Sequence, residues 1–203
     1  MSDAGTHTYR ALEVARDRGI ARARDFEAAG IPLAYIRRLC NDGRLIQLGR
    51  GLYQLPDLVG ADAEHDLAEA VRLVPHGVVC LFSALRHHGL TTQLPQAVWL
   101  AIPHKARAPK TSHLTLEFVR ASEPAYSAGV ERVVIEGVET PIYGAAKTVA
   151  DCFKYRRRVG LDVAVEALRD ALRLRIATVS ELAHFAGIDR VANVMRPYLE
   201  ALA

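Results

Sequence analysis

Arg37, Arg38 and Asn41 are the side chains of this chain best suited to reading another molecule through directed hydrogen bonds. A guanidinium fork pairs with guanine edges and phosphates, and an asparagine amide pairs with adenine. With Ala34 they fall at i, i+3, i+4 and i+7, one stripe of a helix, and Tyr35 stands at its edge. Leu33, Ile36 and Cys40, with Leu39 beside them, form the opposite, inward stripe. That much also fits an ordinary solvated helix face. The residues that follow separate the two readings. Leu45, Ile46 and Leu48 precede Gly49-Arg50-Gly51, a turn that tolerates positive φ, and Leu52, Tyr53 and Leu55 follow it. Arg44 and Arg50 therefore come at the base and tip of a hairpin, where an arginine reaches a phosphate or the minor groove.

Three helices must position these groups. The spacing predicts one over about residues 7–18, burying Ala11, Leu12 and Ala15 and stopping at Gly19. A second covers about 22–29, buries Phe26 and Ala29, and ends at Gly30. Pro32 fits the first turn of the third, which runs to about Asp42, with Gly43 able to take the left-handed cap. Helix, turn, helix and basic hairpin are the parts of a winged helix-turn-helix, predicted over residues 1–58. In it Arg37, Arg38 and Asn41 read base edges in the major groove of double-stranded DNA with Tyr35 assisting, and Arg44 and Arg50 hold the backbone. Charge agrees with this placement. Residues 1–55 carry nine arginines and no lysine against six acids, an excess of three that equals the net charge of the whole chain, +3.

A chain of 203 residues, half of them hydrophobic, has ample material for a packed core. No apolar run is long enough to span a membrane and the first residues contain no signal-peptide segment, so the expected location is the cytoplasm. Cys40, Cys80 and Cys152 lack paired spacing and imply neither a disulfide framework nor a zinc site. Residues 59–203 are predicted as a second, mixed α/β domain, with a possible connecting helix over 62–74. A short helix over Phe82–His88 ends at Gly89. Strands follow over 97–102, 113–119, 130–136 and 138–143, where Pro141 suggests a sheet edge and Glu136-Gly137 a tight turn. Helices then occupy about 144–158, 161–174, 178–186 and 189–202, the third opened by a Thr178/Glu181 capping box. The class is α+β: a winged helix-turn-helix domain, then a small mixed or antiparallel sheet covered by several helices.

Other candidate chemistry is thin. His87 and His88 are adjacent on a helix and point about 100° apart, and no acid stands at i+4 to complete a metal site with them; His104 and His113 lie further on. Asp57, Asp62, Glu64 and Asp66 read as a charged linker and helix start. Ser83 lacks a nucleophile elbow and Cys152 an activating histidine nearby in sequence. No catalytic residue, metal or cofactor is expected. Lys154 with Arg156, Arg157 and Arg158 reads either as a helix end favoured by the macrodipole or as a surface for nucleic acid or an acidic partner. His104, Lys105, Arg107 and Lys110 form a second basic loop, Pro-flanked and expected to be exposed, that could serve as the same kind of surface. Lys147 and Asp151, at i and i+4, read as a helix-surface pair worth a few tenths of a kcal/mol.

Three segments, GRLIQLGRGLYQLP, LFSALRHHGL and KTVADCFKYRRRVGLDVAVEALRDAL, resemble in order the AbiEi family of bacterial antitoxins. The resemblance implies a winged helix that binds inverted repeats upstream of its own operon and represses it, in a setting of abortive infection and phage defence. It also implies a C-terminal domain that counters, directly or indirectly, an AbiEii-type nucleotidyltransferase toxin encoded next door. The chain departs from the family at the second helix, where Arg22 replaces the usual Ser or Thr cap, a loss of about 1 kcal/mol. Three alternatives stand beside this reading: a toxin-binding module without a DNA role, a plain winged-helix regulator, and a nucleic-acid-processing enzyme with an unrecognised site.

Overall fold

The computed structural model describes residues 3–59, 64–109 and 114–202; Asp62, Lys110 and His113 lie outside them. Contacts divide the chain into two units, Met1–Leu73 with Val134–Thr140, and Val74–Val133 with Pro141–Ala203.

The first unit opens with α1 (Asp3–Arg18), which ends where Gly19 turns left-handed at φ +62. The chain then makes β1 (Ile20–Arg22), α2 (Ala23–Ala28) and α3 (Leu33–Asn41). A hairpin of β2 (Ile46–Gly49) and β3 (Leu52–Gln54) follows, then a 3-10 turn (Pro56–Leu58) and α4 (His65–Leu73). The short β1 has no counterpart in the sequence-based expectation. It pairs antiparallel with β3, Ala21 opposite Tyr53, so the wing is a three-stranded sheet of order β1-β3-β2. Ala11, Ala15, Phe26, Ile36, Leu39, Leu45 and Tyr53 close one core beneath the three helices. Phe26 meets Tyr53 edge-on at 5.7 Å, an arrangement that aligns the positive ring edge with the negative face. Pro32 is the N-cap of α3 rather than a residue of its first turn.

The second helix lacks a conventional cap, since a guanidinium has no acceptor. Instead the Asp25 carboxylate accepts the Arg22 backbone N–H at 2.7 Å. The same oxygen takes the Arg72 guanidinium from α4. The departure at Arg22 is thus answered by an acid three residues on. Nearby, Gln54 on β3 is fully buried and donates to Glu136 at 2.7 Å, and His65 shares that carboxylate oxygen at 2.8 Å. Residues around Glu136 press closely here: a Cβ on Gly19 would stand 1.6 Å from the Glu136 carbonyl oxygen.

The second unit is built on a mixed five-stranded sheet with a helical layer, the β7–β8 turn and its flanks, Val134–Thr140, counting with the first unit. Its elements are β4 (Val78–Val79), α5 (Leu81–His87), β5 (Val98–Pro103), β6 (Leu116–Ala121), β7 (Val130–Ile135) and β8 (Val138–Tyr143). Then come α6 (Ala145–Lys154), α7 (Arg156–Val159), α8 (Leu161–Arg173), α9 (Val179–Ile188) and α10 (Ala192–Leu202). Strand order is β6-β5-β4-β8-β7, with β5–β6 and β4–β8 parallel and β4–β5 antiparallel. Pro141 therefore does not mark an edge, because β8 is internal. The two-residue β4 meets β8 at the single pair Val79–Ile142, which leaves most of that flank without a ladder and so tolerates a missing N–H. The helix expected over 144–158 is two helices, broken at Tyr155.

Helix α6 is the hub of this unit. Every residue from Ala145 to Phe153 is buried, packed among Ala164, Leu168, Leu182 and Met195 of the other helices. Its polar side chains must find partners inside. Lys147, 1% exposed, reaches Asp151 at 2.6 Å and Asp189 at 3.2 Å, and Lys154 reaches Asp189 at 3.2 Å. The Lys147 ammonium also lies 4.4 Å from the Tyr143 ring centroid. This corrects the reading of Lys147 and Asp151 as a surface pair: they are the centre of a desolvated network, because α6 has no solvent face. Among the described residues no helix is long and apolar enough to cross a membrane.

Candidate nucleic-acid interface

Helix α3 is amphipathic as read from its spacing. Ile36 and Leu39 are buried, Leu33 and Cys40 half-buried, and Ala34, Arg37, Arg38 and Asn41 exposed. The helix ends as a Schellman motif, with Gly43 left-handed at φ +68 and the Arg44 N–H donating to the Leu39 carbonyl at 2.8 Å. That turn delivers Arg44, exposed, at the base of the hairpin. Arg38 faces Asp42 at 3.8 Å with both side chains more than half exposed, so the pair contributes little and releases the guanidinium easily. Tyr35 is half-buried and leans on the His7 ring of α1 at a centroid distance of 5.0 Å. Burial pushes the Tyr53 hydroxyl up, with Cys40 adding to it and the charge of Arg37 opposing.

The wing is the second basic element of the unit. Beta pairing slips between Gln47 and Gly49, a bulge that bends the hairpin, and Gln47 donates to the Gly49 carbonyl at 3.1 Å. Arg50 is exposed at the tip, beside Gly51 at φ +74. The Gly51 carbonyl accepts the Ala23 N–H at 2.9 Å, which ties the turn to the start of α2. Six residues singled out in the sequence, Tyr35, Arg37, Arg38, Asn41, Arg44 and Arg50, thus lie on one helix and the hairpin it feeds. Sequence spacing could not show the anchoring of that hairpin by β1, because a three-residue strand has no periodicity of its own.

The basic residues of the second unit are placed differently. Arg156 donates to the Phe153 carbonyl at 2.9 Å and finishes α6. Arg158 donates to the Phe118 carbonyl and the Glu117 carboxylate, each at 2.8 Å, and stacks 4.7 Å from the Trp99 ring centroid. Lys154 is drawn to Asp189, and Arg157 is exposed and, alone of this run, has no such contact among the described residues. Lys105 and Arg107 are exposed on a loop held by Arg120, which donates to the His104 and Ala106 carbonyls at 2.7 and 2.8 Å. His88 bonds the Tyr143 carbonyl at 2.8 Å. Burial drives the Cys80 and Cys152 thiols well up, away from thiolate chemistry. Among the described residues no group of three or more His, Cys, Asp or Glu is placed to hold a metal ion.

A winged helix with an arginine-bearing third helix, followed by a mixed α/β unit, defines the class of this protein as a two-unit chain built on a winged-helix module. The family is more specific. Residues 9–56, within the winged unit, match the model of the family described as transcriptional regulator, AbiEi antitoxin. No curated protein matches the chain in sequence. Among solved structures, the crystal structure of the RV2827C protein from Mycobacterium tuberculosis is similar in fold, with a TM-score of 0.61 at 18% identity. That similarity covers 96% of this chain and 76% of the other.

Proposed function

We propose that the chain is an autorepressing antitoxin. Its winged unit binds inverted repeats ahead of its own operon, one copy per half-site, and the chain counters a nucleotidyltransferase-like toxin encoded beside it. One observation carries the DNA reading: Arg37, Arg38 and Asn41 share the exposed face of α3 while Arg50 stands free at the hairpin tip. An α-helix fits the major groove, so its outward arginines and asparagine meet base edges, and a wing arginine meets the backbone. The family match supports the antitoxin half of the reading.

Titration of the native upstream region tests the division of labour. Arg38→Ala loses about 1–3 kcal/mol and relaxes sequence preference, whereas Arg50→Ala weakens all sequences alike and lowers the salt slope by about 1 per bound copy, about 2 on the two-copy site. If both variants bind as wild type does, the DNA assignment fails. Co-expression with the neighbouring nucleotidyltransferase is expected to restore growth, and persisting arrest would refute the antitoxin half.

A further inference from the structure

We infer that the elbow between α8 and α9 is a docking surface for a protein partner that is acidic around an apolar centre. Leu174, Ile176 and Val179 are 46%, 42% and 43% exposed, three large apolar side chains bared within six residues. Arginines ring them. The Arg169 and Arg173 side chains are 56% and 64% exposed, and Arg175 is exposed between Leu174 and Ile176.

The nearby acids are already engaged within the chain. Asp170 faces both Arg169 and Arg173 at 3.4 Å. Glu181 accepts the Thr178 N–H and hydroxyl at 2.8 and 2.7 Å, closing the cap of α9. Arg175 has no side-chain partner among the described residues. Its backbone is the more telling feature. Helix α8 ends as a Schellman motif, with Arg175 donating to the Leu172 carbonyl at 3.1 Å and Ile176 to that of Ala171 at 3.0 Å. This puts Arg175 in the left-handed region at φ +56. Glycine holds the equivalent place after α3 and α5, where Gly43 and Gly89 have φ +68 and +67, and a second arginine, Arg190 at φ +60, holds it after α9. A long cation is thus kept at a position that favours glycine, beside bared leucine and isoleucine, with no side-chain hydrogen bond or ion pair among the described residues to offset the strain.

An apolar centre rimmed by arginine is the composition of a protein-binding surface. Nucleic acid would find no use for the apolar centre, and a lipid surface calls for a helix with its apolar face outward, whereas that of α8 is buried in the core. Charge complementarity calls for carboxylates opposite Arg169, Arg173 and Arg175.

The test uses the full chain and a labelled amphipathic peptide with glutamates on one helical face and leucine and phenylalanine on the other. Its controls carry lysine for glutamate, or serine for the apolar residues. The acidic apolar peptide alone is expected to bind, more weakly as salt rises. Arg175→Gly and Leu174→Ser should each weaken it about ten-fold while duplex DNA binding and the thermal midpoint hold. Arg175→Gly relieves the left-handed strain, so lost binding in that variant cannot be ascribed to unfolding. Absent binding, equal binding of the lysine peptide, or variants that bind as wild type would each overturn the inference. Loss of duplex binding in the variants would overturn it too, and would assign the elbow to nucleic acid.

Discussion

Single carboxylates hold both units at points where charge is desolvated. Asp25 caps α2 through the Arg22 N–H and neutralises Arg72, with the Asp25 and Arg72 side chains 14% and 18% exposed. Burial pulls the Arg72 pKa down and Asp25 opposes it, so the carboxylate is what keeps that guanidinium comfortable. Asp25→Ala removes a cap and strands a buried charge at once; a cost of about 3 kcal/mol in urea unfolding is expected. A loss under about 1 kcal/mol would show that water replaces the carboxylate. In the second unit, burial raises the Asp151 carboxyl from 3.8 to about 7, against the pull of Lys147. A carboxyl raised on folding binds its proton more tightly in the native state, so its contribution is complete below about pH 4 and fades as pH climbs towards 7. Unfolding midpoints measured across that window should fall more for the wild type than for Asp151→Asn, and parallel curves would contradict the shift.

At the scale of elements, what could be read depended on whether a segment carries its own period. Helix α3 declared itself, because Ile36 and Leu39 against Arg37, Arg38 and Asn41 make a stripe that only a helix resolves. The hairpin was equally legible from Gly49-Arg50-Gly51 and its flanking apolar residues. Strands β1 and β4 were not, since three and two residues hold no pattern and exist only through their partners β3, β5 and β8. Pro141 misled for the same reason: an edge is a property of neighbours. Burial of Lys147 was hidden because its second acid, Asp189, lies 42 residues further on. Gly19 tests how tightly one such non-local junction is set. It joins α1 to β1 in the left-handed region, with no space for a Cβ against the Glu136 carbonyl. Gly19→Ala is expected to cost at least about 2–4 kcal/mol, from steric overlap and backbone strain together. A thermal midpoint near that of wild type would mean that residues 134–140 yield readily.

Across the whole chain, charge is distributed rather than merely abundant. The excess of three positive charges within residues 1–55 accounts for the net +3, and the remainder balances. Much of the basic character further on is consumed internally, by Arg156 on Phe153, Arg158 on Phe118 and Glu117, and Lys154 on Asp189. An electrostatic footprint on DNA should therefore be small and set by the wing. On the proposed reading Arg44 and Arg50 give two phosphate contacts per copy, and each neutralised phosphate contributes about −0.9 to the slope of log affinity against log salt. Two copies on a two-fold site should then give a slope of about −4, and Arg50→Ala should bring it to about −2. A wild-type slope beyond about −7 would instead bring Lys105, Arg107 and Arg157 onto the backbone, and the wing would no longer account for the attraction. A slope near zero would remove phosphate contact altogether, leaving the exposed arginines of α3 as a surface for something other than a duplex.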